Sequence, residues 1–369
     1  MNRMKLGEIL SVKHGWAFKG EYFAEDGEQS ILTPGNFFEK GGFKPNNGKE
    51  RYYTGTYPKE YLCHKGDLIV AMTQQAEGLL GSTALVPENN KYLHNQRIGL
   101  ITCDEKRLNK LFAYYLFMTK SVREQLERSS SGTKVKHTSP EKIYDVEVEI
   151  PDVISQQKIA NLLWFIDEKI ANNNAINDNL EQQMHLIFEN MMAKAATHKL
   201  SGEYTIAQNL TTVVTGKEDA NFSVPNGKYK FFTCSNMPLL CDEYVFDSSS
   251  ILIAGNGDFN VKHYSGKFNA YQRTYVLTPD KKYFGLLYLA SLYRINSFKS
   301  RSSGSIVKFI TKSDVENIPV FIPNDMFYLQ ELNKLIYLQE QNKLENELLV
   351  NLRDWLLPML MNGQATISD

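Results

Sequence analysis

Two patterns of apolar and polar residues alternate along the chain. Residues 1–151 and 200–324 carry short apolar runs bounded by Gly, Asn and Pro, such as Leu68–Ala71, Ile98–Thr102, Ile251–Ala254 and Tyr275–Leu277, which predicts β-rich lobes. Each lobe also holds one stretch of helical composition, Leu111–Glu127 and Phe284–Phe298, so the lobes read as α+β. Residues 152–199 and 325–369 are different. Apolar side chains fall at Ile159, Leu163, Ile166, Ile170, Leu180, Met184, Ile187 and Met191, and again at Leu329, Leu332, Ile336, Leu349, Leu352, Leu356 and Met359. That alternating three-four spacing is a coiled-coil seam.

Each seam implies a helix of roughly 35 to 42 residues, about 55 to 60 Å at 1.5 Å per residue, too long for one small lobe to bury. The two helices are expected to pack on each other. Both seams turn polar at mid-length, at Asn173 and Asn177 and at Gln339, Asn342 and Asn346. In an antiparallel pair these midpoints meet, and a buried polar layer fixes register; the alternative is that they face solvent.

The chain also repeats itself. SSGTKVKHTSPEKIYDVEVEIP (Ser130 to Pro151) returns as SSGSIVKFITKSDVENIPVFIP (Ser302 to Pro323), each time just before a long helix. Upstream, Thr33 and Asn36 recur as Thr233 and Asn236, Leu68–Ala71 as Ile251–Ala254, and Gln96-Arg97 as Gln272-Arg273, in the same order. A period of roughly 170 to 180 residues exceeds that of a solenoid, so the fold is expected to be a duplicated lobe-plus-helix: two pseudo-two-fold related α+β lobes separated by an antiparallel coiled coil.

Composition narrows the function classes. With 369 residues and 42% hydrophobic content, cores can form in more than one domain. No apolar stretch of about 18 residues and no signal-peptide pattern is present, which predicts a cytoplasmic protein without a membrane partner. Cys63, Cys103, Cys234 and Cys241 form no CxxC pair, as expected for reduced thiols rather than a zinc site. The net charge of -1 hides a partition: the lobes come to about +2 and +3, and the helical segments to about -2 and -4. Nucleic-acid binding needs cations only where phosphates lie, so a neutral total leaves it open.

A catalytic site is missing by motif. An amino-methyltransferase needs a Pro-Pro-aromatic cluster, and the sequence has no Pro-Pro; Pro279-Asp280 is not followed by the acidic-x-Lys strand of a metal-dependent nuclease. ILIAGNGDF (Ile251 to Phe259) has a GxG after a strand, but NVKHYSGKF beyond it is not helical and offers no N-terminus to a phosphate. No cofactor or metal is therefore expected in this chain.

The ordered set GWAFKGEYF, LTPGNF, KGDLIVAM, HNQRIGLI, SSGTKVKHTSPEKIYDVEVEIP and SQQKIANLLWFIDEKI, followed by its degenerate second copy, resembles the specificity subunits of type I restriction-modification enzymes over nearly the whole chain. The resemblance implies target-recognition domains at 1–151 and 200–324, each reading one half of a split double-stranded DNA site. It implies spacer helices at 152–199 and 325–369 that dock two methyltransferase subunits, with restriction/translocase subunits joining the complex. S-adenosylmethionine and ATP then belong to partner chains. MFYLQELNKLIYLQEQN matches SQQKIANLLWFIDEKI only loosely, and the lobes differ between motifs, which implies unlike half-sites.

Candidate DNA contacts follow from side-chain chemistry. Small residues let backbone amides approach phosphates, and neighbouring hydroxyls and cations complete such a site: Ser131, Gly132, Thr133, Lys134 and Lys136 in lobe one, and Arg301, Ser303, Gly304, Ser305 and Lys308 in lobe two. Planar amide and guanidinium groups can read base edges, which nominates Gln74, Gln75 and Arg97, then Asn256, Asn260, Lys262 and Arg273. The repetition of Gln-Arg in both lobes argues for a backbone role shared by the two. The leading expectation is a non-catalytic recognition subunit; the alternative is a coiled-coil interaction protein whose lobes bind something other than nucleic acid.

Overall fold

The computed structural model describes residues 1–46, 48–74, 77–132, 135–301 and 309–367, with backbone only at 299–301. The chain divides into two compact units, Met1–Lys169 with Leu348–Asp369, and Ile170–Glu347. Seven α-helices are described: α1 (Lys110–Leu116), α2 (Lys120–Ser129), α3 (Pro140–Tyr144), α4 (Val153–Ala196), α5 (Phe284–Arg301), α6 (Lys312–Glu316) and α7 (Met326–Met361).

In the first unit, strands 10–14, 98–103, 68–71 and 83–85 form an antiparallel sheet in that order. Its central strand, Leu68–Ala71, is wholly buried, as its unbroken apolar run requires. Where one helix was expected over Leu111–Glu127 there are two, α1 and α2. The break is stabilised by side chains. The Thr119 hydroxyl donates to the Leu116 carbonyl at 2.7 Å, and the Arg123 guanidinium donates to the carbonyls of Phe117, Gly78 and Leu80 at 2.6 to 2.9 Å. Burial lowers the Arg123 pKa to about 10.

The second unit holds a six-stranded sheet ordered 213–215, 274–277, 246–254, 261–270, 229–232, 239–241, antiparallel except where 229–232 runs parallel to 261–270. The duplication is visible in its frame. Strand 2–5 pairs with 147–150, as 202–206 pairs with 319–323; the Leu6 amide donates to Val146, and the Ala207 amide to Ile318, both at 2.9 Å. Ser139 caps α3 and Thr311 caps α6, each accepting from a backbone amide of the helix's first turn.

The long helices belong to both units because each lobe is cemented to a segment of them. Ile159, Ala160 and Leu163 of α4 share the first core with Leu360 and Met361 of α7. Leu180, Met184, Phe188 and Met191 share the second with Leu329, Leu332 and Ile336. The SQQK segment supplies the start of α4: Asp152 accepts from the Ile154 and Ser155 amides at 3.0 Å. The fully buried Gln156 amide donates to the Arg107 and Pro151 carbonyls and accepts from the Asn109 amide.

Within the second unit, α4 and α7 run antiparallel through the polar layer. Asn173 donates to Asn346 at 2.9 Å and to Glu345 at 2.7 Å, Asn342 donates to Asn177 at 2.9 Å, and Gln339 donates to the Asn177 carbonyl at 3.0 Å. Asn173 is 1% exposed, so these residues face the partner helix rather than solvent. Two expected seam positions are shifted. Phe188 is buried while Ile187 is only half-buried. Leu352 is 44% exposed and Arg353 faces inward instead, donating to Asp167 at 2.8 Å. Replacing Asn173 with Leu is expected to raise stability by roughly 1 kcal/mol or less while admitting a second register. Cysteine pairs placed one heptad out of register should then cross-link in the variant and not in the parent; identical cross-linking in both would count against it.

Candidate nucleic-acid interface

In each lobe the loop after the central strand is stitched between the Gln-Arg turn and the serine-rich segment, by the same backbone bonds. In the first, the Met72 amide donates to the Arg97 carbonyl at 3.0 Å, the Thr138 amide to Met72 at 2.9 Å and the Gln74 amide to Lys136 at 2.9 Å. In the second, the Gly255 amide donates to Arg273 at 2.8 Å and the Ile310 amide to Gly255 at 2.7 Å, while Asn256 bridges Phe309. Gln96 and Gln272 are anchored alike, through their amides to the Trp16 and Glu218 carbonyls. The shared Gln-Arg pair thus has a backbone role in both lobes, with both side chains exposed.

This stitching gathers Gln74, Arg97, Ser131, Gly132 and Lys136 along one rim of the first lobe. Ser131 and His137 exchange backbone bonds at 3.0 and 2.8 Å, closing a turn whose Gly132 has φ +100°. A Cβ at Gly132 would lie 2.1 Å from the Val135 carbonyl, so only glycine fits. Lys136 is ion-paired with Glu127. In the second lobe the rim brings together Asn256 and Arg273.

Two candidates have inward partners. The Asn260 amide donates to the Cys234 and Asp258 carbonyls at 2.8 and 2.7 Å. Lys262 donates to the Thr233 and Ser235 carbonyls, and burial pushes its pKa down to about 8. Both therefore brace loop 233–235, which sequence chemistry could not distinguish from facing a ligand. Arg301 lies in the last turn of α5 rather than in a loop; its side chain, and Gln75, Thr133, Lys134, Ser303, Gly304, Ser305 and Lys308, lie outside the described residues. The GNG turn leads into strand Val261–Ala270, so no helix N-terminus faces it.

A second feature was not foreseen from sequence. Beside Arg97 opens a groove of about 450 Å³ lined by Asn95, Gln96, Asn46, Lys49, Arg51 and Thr33, with Phe18, Phe23 and Ile31 as its apolar surface. Its lining holds three cations and no carboxylate. The basic loop FKPNNGKER (Phe43 to Arg51) was the available signal. In the second lobe, the groove that includes Lys230, Lys262 and Lys343 also contains Glu340 and Glu347; Lys230 is ion-paired with Glu347, and Lys343 lies 3.9 Å from Glu340. Two of its three lysines therefore face carboxylates.

Among the described residues no group of three His, Cys, Asp or Glu side chains is placed to hold a metal ion. All four cysteines are unpaired by disulfides, and burial pushes the Cys63 and Cys103 thiols up to about 12, away from reactive thiolates. No described helix is long and apolar enough to cross a membrane.

A family model described as the type I restriction modification DNA specificity domain matches residues 1–182 and 212–350. The chain belongs to this family. The first matched stretch contains lobe one and the second most of lobe two, each with part of its long helix, in keeping with the duplication. Among its relatives, the EcoDI specificity subunit of a type I restriction enzyme from Escherichia coli is 36% identical over 164 residues, 42% of this chain and 37% of that protein. The MjaIX specificity subunit from Methanocaldococcus jannaschii is 22% identical over 304 residues, 70% of this chain and 69% of that protein. The chain thus matches little more than a third of the first relative's length. A crystal structure of a type I restriction-modification S subunit from M. genitalium aligns over 100% of this chain and 96% of its own, with TM-score 0.64 and 18% identity, which establishes that this specificity-domain chain shares its fold.

Proposed function

We propose that this chain is a non-catalytic DNA-recognition subunit that binds an asymmetric, bipartite double-stranded site and scaffolds methyltransferase and restriction subunits. The observation that carries this reading is one backbone stitching present in both lobes and bearing different side chains. A shared frame places a loop at the rim, and unlike loops suit unlike half-sites. Gln74, Arg97, Ser131, Gly132 and Lys136 would meet DNA in lobe one, and Asn256 and Arg273 in lobe two; Thr133, Lys134, Ser303, Gly304, Ser305 and Lys308 are proposed as further contacts from their chemistry alone.

The docking of two methyltransferase subunits on the long helices is supported by exposed apolar side chains on α7. Leu348, Leu352 and Trp355 in the first unit follow helical spacing, and they and Tyr337 and Leu344 in the second are 44 to 63% exposed, more than a solvated helix face normally shows. S-adenosylmethionine and ATP would be held by those partners.

The reading is tested by coexpressing the full chain with its methyltransferase subunits and mapping methylated bases. An asymmetric two-part motif is the expected outcome; methylation without any motif, or none, would count against it. Lys136 separates positioning from reading. Its substitution by Ala should weaken binding to random and specific duplexes alike and flatten the logarithmic salt dependence by about 0.9, the value of one phosphate contact. An altered motif in that variant would show that Lys136 reads bases.

A further inference from the structure

The groove beside Arg97 is lined by Lys49, Arg51 and Arg97 and by no carboxylate, whereas the groove of the second lobe that includes Lys230, Lys262 and Lys343 also includes Glu340 and Glu347. We propose, resting on the DNA-recognition reading, that this groove is the base-reading surface of the first lobe, and that Arg51 and Arg97 within it select at least one G·C pair of the first half-site. Three observations converge on it.

First, its charge is available. Lys49, Arg51 and Arg97 are exposed, and none forms an ion pair with a described residue. Glu25 and Glu50 line the adjoining concavity rather than this groove, and the Glu50 carboxylate accepts from the Gly48 amide at 2.8 Å.

Second, the two guanidiniums start from fixed backbone. The Arg51 carbonyl accepts from the Ile31 amide at 2.7 Å. The Arg97 amide donates to the Asn95 side chain and its carbonyl accepts from Met72, both at 3.0 Å. Neutralising a phosphate needs only nearby charge, whereas reading a base edge needs a planar fork held in place. The guanidinium fork matches O6 and N7 of guanine, and the Gln96 amide in the same wall extends the polar readout. Phe23, 38% exposed, offers an apolar face to a thymine methyl or a base plane.

Third, the wall of the groove differs between the lobes at matched positions. Gln272 meets the Glu218 carbonyl where Gln96 meets Trp16, and the position two residues after Glu218 is Ala220, where lobe one has Phe18. A groove wall that differs between two duplicated lobes is suited to setting one half of a split site.

The experiment maps methylated bases genome-wide for the full chain with its methyltransferase subunits, comparing the parent with Arg51→Gln, Arg97→Gln and Arg51→Lys. Both Gln variants should make the same half of the motif degenerate at a G·C pair, with discrimination there reduced roughly 5- to 150-fold, and leave the other half intact. Arg51→Lys keeps the charge and loses the fork, so it should also be degenerate. A parental motif retained at uniformly lower methylation would assign these cations to phosphates and overturn the proposal. So would changes in both halves, or an Arg51→Lys variant indistinguishable from the parent. If the parent itself yields no bipartite motif, the recognition reading fails before the groove is judged. Should Arg51→Gln melt earlier than the parent, Arg97→Gln decides alone, because its exposed side chain supports no other described contact.

Discussion

Acidification from pH 7 to pH 4 should cost the first lobe about 3 kcal/mol through His94 alone. His94 is fully buried, and its Nε2 lies 2.8 Å from the Ile98 carbonyl, to which it donates, while Nδ1 has no hydrogen-bond partner. Protonation would place a second, unanswered N–H in the core. Burial accordingly lowers the His94 pKa to about 4, against the smaller opposing effect of the Ile98 carbonyl. The unfolded chain takes up its proton near pH 6.5, whereas the folded chain does so only near 4. Stability from the neutral ring is therefore complete above about pH 6.5 and lost progressively as pH falls towards 4, at roughly 1.4 kcal/mol per unit, with no further loss below. Urea unfolding at pH 7, 5.5 and 4.5, followed by tryptophan fluorescence, measures it. All three tryptophans, Trp16, Trp164 and Trp355, belong to the first unit. His94→Gln should flatten the slope between pH 6.5 and 4; a slope equal to the parent's would place the acid sensitivity elsewhere.

Replacing Asp167 with Ala should destabilise the first unit by about 3 kcal/mol, a fall in melting temperature of roughly 6 to 12 °C. Asp167 joins three elements: it accepts from the Tyr115 hydroxyl of α1 at 2.7 Å and from Arg353 of α7 at 2.8 Å. Tyr115 is fully buried, and the Arg353 and Asp167 side chains are only 23% and 21% exposed. Burial alone would lower the Arg353 pKa, yet Asp167 and Asp354 outweigh it and raise the pKa above the ordinary value. Removing the carboxylate leaves the buried Tyr115 phenol without its acceptor and the half-desolvated Arg353 guanidinium with Asp354 as its remaining carboxylate partner, which costs more than the pair contributes. Combining Asp167→Ala with Tyr115→Phe should recover at least about 1 kcal/mol by removing the orphaned hydroxyl. Strict additivity of the two losses would show that the residues act independently.

Much of this protein is determined by sequence alone, because the relevant forces act over short chain distances. The unbroken apolar run at Leu68–Ala71, bounded by turn residues, points to a buried strand, and the three-four spacing to a helix seam on α4. The recurrence of Gln96-Arg97 at Gln272-Arg273 announces a shared backbone turn before any coordinate is known. The polar midpoints Asn173 and Asn177 are legible for the same reason, as interruptions of a periodic pattern. What the tertiary structure decided lies where residues distant in sequence compete for one place. Leu352 and Arg353 are both compatible with the seam. Arg353 faces inward because Asp167 and Tyr115, far away in the chain, supply the partners that make its partial burial tolerable. Asn260 and Lys262 are chemically suited to DNA, yet carbonyls from loop 233–235 claim them. Arg51 and Arg97 stand 46 residues apart in the numbering, and no local pattern relates them. Their convergence on a carboxylate-free groove depends on the hydrogen bonds that hold both backbones to the sheets, and on Glu50 turning back to its own loop.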